Sequence, residues 1–276
     1  SLPAVVWDDV EKWENDLEVG DVLKVQGVLT TYRGSVQFKL KEFEKTDGSV
    51  WNPELFIPVT EKDRRQLIRE IIEVIDSFTN EYLRELLNRF FGNTEFLACF
   101  GTAPGGKAWH HVYIGGLLDH TVGVLRLCHA AAEGREDINR DLLFAAAILH
   151  DIGKIDEYEI TTNINFSDEG RLIGHIIQGD NMVRDMVGKI KGFPEHLNML
   201  LSHLILSHQG HKEFGSPVVP MIAEGIILYY ADEMDSKLNA FKRIKGKKSN
   251  IGSTWSGYVK LMERFFYLDN KDNSEH

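Results

Sequence analysis

Cysteine is scarce in this sequence, since Cys99 and Cys128 are the only two among 276 residues. Two cysteines are too few for a disulfide framework or a thiolate metal site. Long apolar runs are also missing, because the longest, residues 142–149, falls well short of the roughly 20 residues that a membrane helix requires. Acidic residues at positions 8, 9 and 11 interrupt the stretch where a signal peptide would have its apolar core. We therefore predict a soluble, cytoplasmic protein with no membrane partner.

Basic residues are outnumbered, with 31 Lys and Arg against 42 Asp and Glu and a net charge of −11. A protein that coats nucleic acid needs clustered positive charge, so that function is disfavoured. A nucleic-acid enzyme is not excluded, because bound divalent metals supply positive charge where a phosphate binds. What is present is an ordinary globular composition, with 43% hydrophobic and 26% charged residues, which can form a core without disulfides.

The pattern of apolar residues changes near residue 60. Residues 21–29 and 35–40 alternate as β-strands do, and Arg33-Gly34 between them predicts a turn. Two strands do not make an independent sheet, so residues 1–60 pair with something outside this segment, dock on the rest of the chain, or form a fragment. Residues 61–276 have helical spacing. Within them we predict helices near residues 111–133, 139–150, 171–189, 196–208, 219–241 and 255–267.

The strongest chemical signal is the pair His150-Asp151, which follows the apolar run ending at Leu149. Burying both groups costs several kcal/mol unless they are paired or bind a metal. The alternative is a surface helix end, where a histidine lies near the negative pole of the helix dipole. Five further polar residues interrupt apolar stretches in the same way: His120, His175, His203, His208 and Asp232. Five such cases favour a shared metal site over the alternative, in which each residue is a separate polar group in a core.

The order His120, His150-Asp151, Asp232 resembles the H…HD…D pattern of the HD superfamily of metal-dependent phosphohydrolases. Residues 110–121, 206–217 and 230–237 are similar to segments of the YhaM-like 3′→5′ exoribonucleases, and residues 32–38 resemble the end of that family's OB-fold. The resemblance implies a mainly α protein, in which a helical HD-domain bundle over residues 61–276 follows a small β segment, part of an OB-fold, over residues 1–60.

The resemblance also implies a ligand set for two divalent metal ions: His120, His150, Asp151, His175, His208 and Asp232. Asp151 would bridge the two ions, with His175 and His208 on the second. Lys154 matches the lysine that many members place near the scissile phosphate, so Asp151 and Lys154 are the predicted catalytic residues. Mixed imidazole and carboxylate ligands suit manganese, our first candidate, as well as iron, nickel or zinc. Magnesium is a further candidate.

Five more residues are candidates for supporting the ligands or contacting substrate: His110, His111, His203, Gln209 and Asp235. His203 lies about 140° around a helix from His208, so the two do not share an ion and His203 is either a support or a core histidine. Asp235, on the same helix face as Asp232, either orients a ligand or is an exposed carboxylate. His110 and His111 either contact a substrate phosphate or have a plain surface or packing role. Gln209 stands where the family often has a second histidine.

The leading hypothesis is a metal-dependent 3′→5′ exonuclease on single-stranded RNA, and also on single-stranded DNA, that uses a metal-bridging hydroxide. The runner-up is an HD phosphohydrolase acting on a small nucleotide or phosphate monoester, which would share the active site and differ in the pocket wall. A binding module with a decayed site and di-iron oxygenase chemistry are further alternatives. The complete ligand set argues against the first, and Lys154 argues against the second.

Overall fold

The computed structural model describes residues 2–8, 10–46, 51–247, 250 and 252–269. The chain divides into two compact units, one formed by Ser1–Pro58 with Glu159–Asn165 and the other by Val59–Tyr158 with Phe166–His276. Nothing in the sequence pattern indicates that residues 159–165 join the first unit. The domain boundary at residue 60 stays a prediction.

The first unit contains a short helix and a three-stranded sheet of order β1-β3-β2: β1 Ala4–Val5, α1 Val10–Asp16, β2 Leu23–Tyr32 and β3 Ser35–Lys45. Strands β2 and β3 pair antiparallel, as the alternation predicts, and β1 pairs parallel with β3. Arg33 and Gly34 have φ of 48° and 83°, as in the type I′ turns that match the twist of a hairpin. Trp13 packs on Phe43 with ring centroids 4.3 Å apart.

The second unit is helical, in agreement with the periodicity. Its described helices are α2 Arg64–Asp76, α3 Glu81–Phe91, α4 Thr94–Thr102, α5 Gly116–Ala132, α6 Arg140–Leu149, α7 Lys154–Glu157, α8 Asp168–Leu172, α9 His175–Val187, α10 Glu195–Ser207 and α11 Ala223–Lys245. A short hairpin, β4 Tyr158–Ile160 and β5 Ile164–Phe166, follows α7, and its residues 159–165 belong to the first unit. Asp or Asn side chains cap the first backbone N–H groups of four helices, at Asp63, Asn80, Asn93 and Asn139.

Helices α5 and α6 lie at the centre of the helical unit. Every residue from Leu142 to Leu149 in α6 is buried, so the continuous apolar run is a helix covered on all sides. Helix α5 packs against α2, α4, α6 and α11, and Leu117 and Leu118 near its start are fully buried. Any polar side chain that these two helices carry on their inner faces is therefore placed inside the core.

The helix predicted near residues 255–267 is wrong. The chain there forms antiparallel bridges on either side of a 3-10 turn at Lys260–Met262. Aromatic and β-branched residues favour extended backbone, and Glu263 takes a left-handed φ of 52° that a helix does not admit. Helix α5 begins five residues later than residue 111, because His111 has a φ of 47°. Across the described residues, no helix combines the length and apolar character needed to cross a bilayer.

Candidate metal centre

The six side chains expected to bind metal converge at one place inside the helical unit. Helix α5 supplies His120, and the residues after α6 supply His150 and Asp151. The first residue of α9, the residue after α10 and the middle of α11 supply the remaining three: His175, His208 and Asp232. All except His175 are at most 9% exposed. The structure thus brings together residues that are far apart in the sequence.

Asp151 lies between two pairs of histidines. Its Oδ2 atom is 3.4 Å from His120 Nε2 and 3.3 Å from His150 Nε2. Its Oδ1 atom is 3.4 Å from His175 Nε2 and 3.5 Å from His208 Nε2. Each oxygen therefore faces one pair, which is the arrangement that a carboxylate shared by two metal ions requires.

Two groups of ligand atoms are each compact enough for one ion. The atoms of His120, His150 and Asp232 lie within 4.8 Å of one another, and so do those of Asp151, His175 and His208. Neighbouring ligands on an ion with bonds of about 2.1 Å lie roughly 3 to 3.5 Å apart. The distances of 3.3 to 3.5 Å between the Asp151 oxygens and the four histidine nitrogens match this spacing. A third group of this kind contains His110, His111 and His120, but it shares His120 with the first group.

Unpartnered polar atoms indicate what fits the second group. Asp151 Oδ1 and His175 Nε2 are buried, and neither has a hydrogen-bond partner among the described residues. Buried polar atoms are nearly always partnered, and those that are not call for an explanation such as a bound ion. An imidazole nitrogen and a carboxylate oxygen that face each other are suitable donors for a divalent transition metal. The residues present therefore fit a metal ion at this position.

The other ring nitrogen of each histidine is held by a partner. His150 Nδ1 contacts the Ala147 carbonyl at 2.9 Å, and His208 Nδ1 contacts the Ile205 carbonyl at 2.7 Å. A carbonyl only accepts, so Nδ1 carries the proton in both rings and Nε2 is left free to bind an ion. Carboxylates hold the other two rings, with Asp235 Oδ2 at 2.7 Å from His120 Nδ1 and Glu157 Oε1 at 2.9 Å from His175 Nδ1.

Lys154 places a cation beside Asp151. Its ammonium donates to Asp151 Oδ2 at 2.6 Å and to the Gly105 carbonyl at 2.8 Å, and the residue is only 5% exposed. Burial alone would raise the pKa of Asp151, but the charge of Lys154 and the hydrogen bond from His120 hold it well below its usual range. Asp151 is therefore ionised, the form that binds a cation.

His120 is surrounded by carboxylates. Burial lowers the pKa of an imidazole, yet the hydrogen bonds to Asp151, Asp232 and Asp235 raise the pKa of His120 well above its ordinary value. Burial also opposes ionisation of Asp232 and Asp235. The hydrogen bond with His120 nevertheless keeps the pKa of Asp232 low, and those with His111 and His120 do the same for Asp235. The cluster thus favours one positive charge among its carboxylates. A divalent ion provides that charge and requires the neutral ring, so ion and proton compete.

A chain of hydrogen bonds extends from His120 through the buttressing carboxylate. Asp235 Oδ2 lies 2.8 Å from His111 Nε2, and His111 Nδ1 lies 2.8 Å from the Tyr113 hydroxyl. That hydroxyl donates to Asp119 Oδ2 at 2.8 Å, and Lys62 donates to Asp119 Oδ1 at 2.5 Å. We call Asp235, His111, Tyr113, Asp119 and Lys62 the buttress chain. Both ring nitrogens of His111 are engaged in it, so His111 is occupied as a support for the ligands.

The remaining candidates differ in position. His110 is largely buried, and its burial, together with the charge of Lys154, lowers its pKa to about 2, so the ring is neutral. Its Nδ1 has no partner among the described residues. Gln209 Nε2 lies 3.3 Å from His208 Nε2, beside the centre. His203 accepts a hydrogen bond from the Met221 backbone, and among the described residues it makes no hydrogen bond, ion pair or ring contact with the six converging side chains.

Sequence reasoning missed two features of the centre. Glu157 accepts hydrogen bonds from both the backbone and the ring of His175, and it lies three residues after Lys154. Gly153 allows helix α9 to approach, because a Cβ atom there would lie 2.1 Å from the His175 carbonyl oxygen. The only available signal was the position of both residues beside the His-Asp pair.

Comparison with known proteins agrees with this geometry. Residues 117–237 match the model of the HD domain, and this span contains all six of the converging residues. The site is therefore that of an HD-domain, metal-dependent hydrolase, as the sequence predicts.

The chain is 31% identical over 273 residues to the 3′-5′ exoribonuclease YhaM of Geobacillus sp. (strain WCH70), an alignment that covers 96% of this chain and 81% of the relative. The chain belongs to the YhaM family of HD-domain proteins. No solved structure shows significant similarity to it.

Proposed function

We propose that this protein is a metal-dependent 3′→5′ exonuclease that shortens single-stranded RNA, and single-stranded DNA as a second substrate. The observation that carries the proposal is the position of Asp151, whose two oxygens each face a histidine pair at 3.3 to 3.5 Å. The direction of cleavage and the polymeric substrate come from the relation to the exoribonuclease, which extends over 96% of the chain.

We propose that two divalent ions occupy the centre, manganese being the first candidate and iron, nickel, zinc or magnesium the others. His120, His150 and Asp232 would hold one ion, His175 and His208 the other, and Asp151 both. When bound, two such ions neutralise the phosphodiester oxygens and lower the pKa of a bound water, which supplies the nucleophile. The mixed imidazole and carboxylate set supports a transition metal.

Lys154 and His110 are the proposed substrate contacts. Asp151 and the Gly105 carbonyl engage two of the three N–H groups of Lys154, and the third can donate to a phosphate oxygen as the bond to the leaving nucleotide breaks. His110 is neutral, and its Nδ1 has no partner among the described residues, so it can hydrogen-bond a phosphate or a ribose hydroxyl.

The N-terminal unit and the location of the protein complete the proposal. We propose that the β2–β3 sheet is the end of an OB-fold that contacts the nucleic acid, which is consistent with the exposed Tyr32 at its hairpin. We further propose a cytoplasmic location. Cys99 and Cys128 are both free, as thiols are in a reducing compartment.

The test uses a 5′-labelled single-stranded RNA of about 20 nucleotides and protein loaded with manganese. We expect a ladder of products that shorten from the 3′ end, which requires metal and is abolished in Asp151→Asn. A circular oligonucleotide of the same sequence should remain intact, because it offers no end.

Two results would contradict the proposal. Internal cleavage of the circle would exclude an exonuclease. Turnover of mononucleotides without any shortening of the labelled strand would favour the small-nucleotide phosphohydrolase instead.

A further inference from the structure

A groove with an apolar floor lies on the helical unit between α11 and the segment that follows it. Its volume is about 730 Å³, and six apolar side chains line it: Phe214, Leu238, Phe241, Leu261, Met262 and Phe266. Three of these, Phe214, Leu238 and Leu261, are 60% exposed or more. Contiguous exposed apolar surface of this kind marks a site of binding.

The rim of the groove is basic in a protein that is otherwise acidic. Lys237, Lys260 and Arg264 line it together with one carboxylate, Glu263. All three cations are exposed, and Lys237 also pairs with Glu233 on the same helix. The excess of positive charge is notable because the whole chain carries a net charge of −11. With Lys237 paired to Glu233, Lys260 and Arg264 are the two rim cations that form no ion pair with a described residue, and they suit the phosphates of a ligand.

Aromatic rings connect the groove to the metal centre. Three residues after His208, the ring of His211 packs on Phe214 with centroids 5.4 Å apart and on Tyr229 with centroids 5.6 Å apart. Helix α11 makes a second connection, because Asp232 and Leu238 are separated by about 9 Å along its axis. A strand bound at the centre would need only a few nucleotides to span this axial distance.

We propose that this groove binds the RNA strand on the 5′ side of the scissile bond, with bases against Phe214 and its neighbouring rings and phosphates at Lys260 and Arg264. The inference rests on the proposed exonuclease function and assigns the upstream part of its substrate site. Aromatic rings interleaved with cations are the means by which proteins bind single strands without sequence preference. A second copy of the chain would cover the apolar floor but would meet the basic rim with no phosphates.

The experiment measures binding separately from hydrolysis. A 5′-fluorescein oligoadenylate of 12 nucleotides is titrated with the full chain in EDTA, and fluorescence anisotropy gives the dissociation constant. We expect Phe214→Ala to raise the dissociation constant about tenfold. The double variant Lys260→Ala/Arg264→Ala should raise it by a similar factor and reduce the salt slope by about 1.4, or 0.7 for each lost phosphate contact.

Matched controls lie elsewhere on the helical unit. Met199→Ala removes an exposed apolar side chain from α10, and Lys189→Ala/Lys191→Ala removes two exposed cations that follow α9. Both should bind the oligonucleotide as the wild type does. Thermal unfolding of every variant confirms that the exposed substitutions leave the fold intact.

Distinct results overturn the two proposals. If the groove variants bind the 12-mer as tightly as their controls, the groove is not a strand site, whether or not the wild type degrades RNA. If Phe214→Ala converts a wild-type dimer into a monomer in sedimentation without changing RNA affinity, the surface is a contact between copies, which also overturns the inference. If manganese-loaded wild type shortens no oligonucleotide, the proposed function fails, while the anisotropy still decides on the groove.

Discussion

Each half of the proposed centre contains two histidines and shares Asp151 with the other half, but the surroundings of the two halves differ. In the inner half, His120, His150 and Asp232 are all buried, and both histidine rings are 0% exposed. In the outer half, His208 is buried but the side chain of His175 is 18% exposed. Each half has one histidine held by a backbone carbonyl and one held by a carboxylate.

The halves also differ in how firmly the carboxylate that orients a ligating histidine is held. Asp235, which holds the inner His120, is part of the buttress chain that continues to Lys62. Glu157, which holds the outer His175, lies on α7, a helix of only four residues. An ion in the inner half is enclosed by fully buried rings, and the carboxylate that orients His120 is itself hydrogen-bonded to His111. We therefore expect the inner ion to bind more tightly and exchange more slowly than the outer ion.

The largest effect is expected where the halves meet. Asp151→Asn removes the charge that both ions share, so we expect the protein to retain less than one metal per chain after dialysis and to lose about 1,000-fold or more in kcat. Elemental analysis and the RNA assay measure these two quantities. Asp185→Asn, at an exposed position of α9, is the control and should change neither. Full metal content in Asp151→Asn would show that this carboxylate holds no ion.

The next effect separates the chemistry from metal binding. Lys154→Met removes a buried ammonium whose proposed role is to stabilise charge on the phosphate, so kcat should fall about 100- to 1,000-fold. Metal content should stay at the wild-type level, because lysine is not a ligand. Equal losses of metal and activity would instead assign Lys154 to holding Asp151.

A matched pair of variants distinguishes the halves directly. Asp235→Asn should weaken the tighter of the two ions about 10- to 100-fold, and Glu157→Gln should weaken the other ion by a similar factor, because each orients one ligating ring. Titration with manganese against a competing chelator resolves the two affinities. If both variants weaken the same ion, the division into an inner and an outer half is wrong.

The smallest effect tests how far the buttress chain matters. Tyr113→Phe leaves His111 Nδ1 and Asp119 without the hydroxyl, which should lower the free energy of unfolding by about 1 to 3 kcal/mol. Metal affinity should change by less than about threefold, since Asp235 still contacts His120. Denaturant unfolding with Tyr82→Phe, a more exposed tyrosine, as the control measures the first quantity. A tenfold loss of metal affinity would show that the chain is coupled to the ligands.

The sequence predicts the ligand set better than the groups that support it. A polar residue that interrupts an apolar stretch, as His120 and Asp232 do, is visible in one dimension, and its order along the chain carries the family pattern. Glu157 and Tyr113 acquire their roles only when α9 and α11 pack against α5 and α7, which no local rule encodes. Asp235 was recognised because its helical spacing from Asp232 is itself a local rule.

The fold, like the site, is predicted from the sequence only where short-range patterns determine it. Hairpin β2–β3 and the buried helix α6 follow from short-range patterns, and both were predicted. The segment near residues 255–267 has apolar spacing compatible with a helix, yet Trp255 pairs with Tyr267, and Val259 with Arg264, across a tight turn. Such pairing is decided by tertiary contacts that local spacing does not contain.

The central claim is that Asp151 joins two metal ions, and electron paramagnetic resonance of the manganese-loaded protein tests it most directly. The account predicts two ions per chain by elemental analysis and a spectrum in which the two ions are exchange-coupled through the shared carboxylate. Asp151→Asn should abolish that coupled spectrum. A wild-type protein with a single ion, or with two uncoupled ions, would contradict the claim.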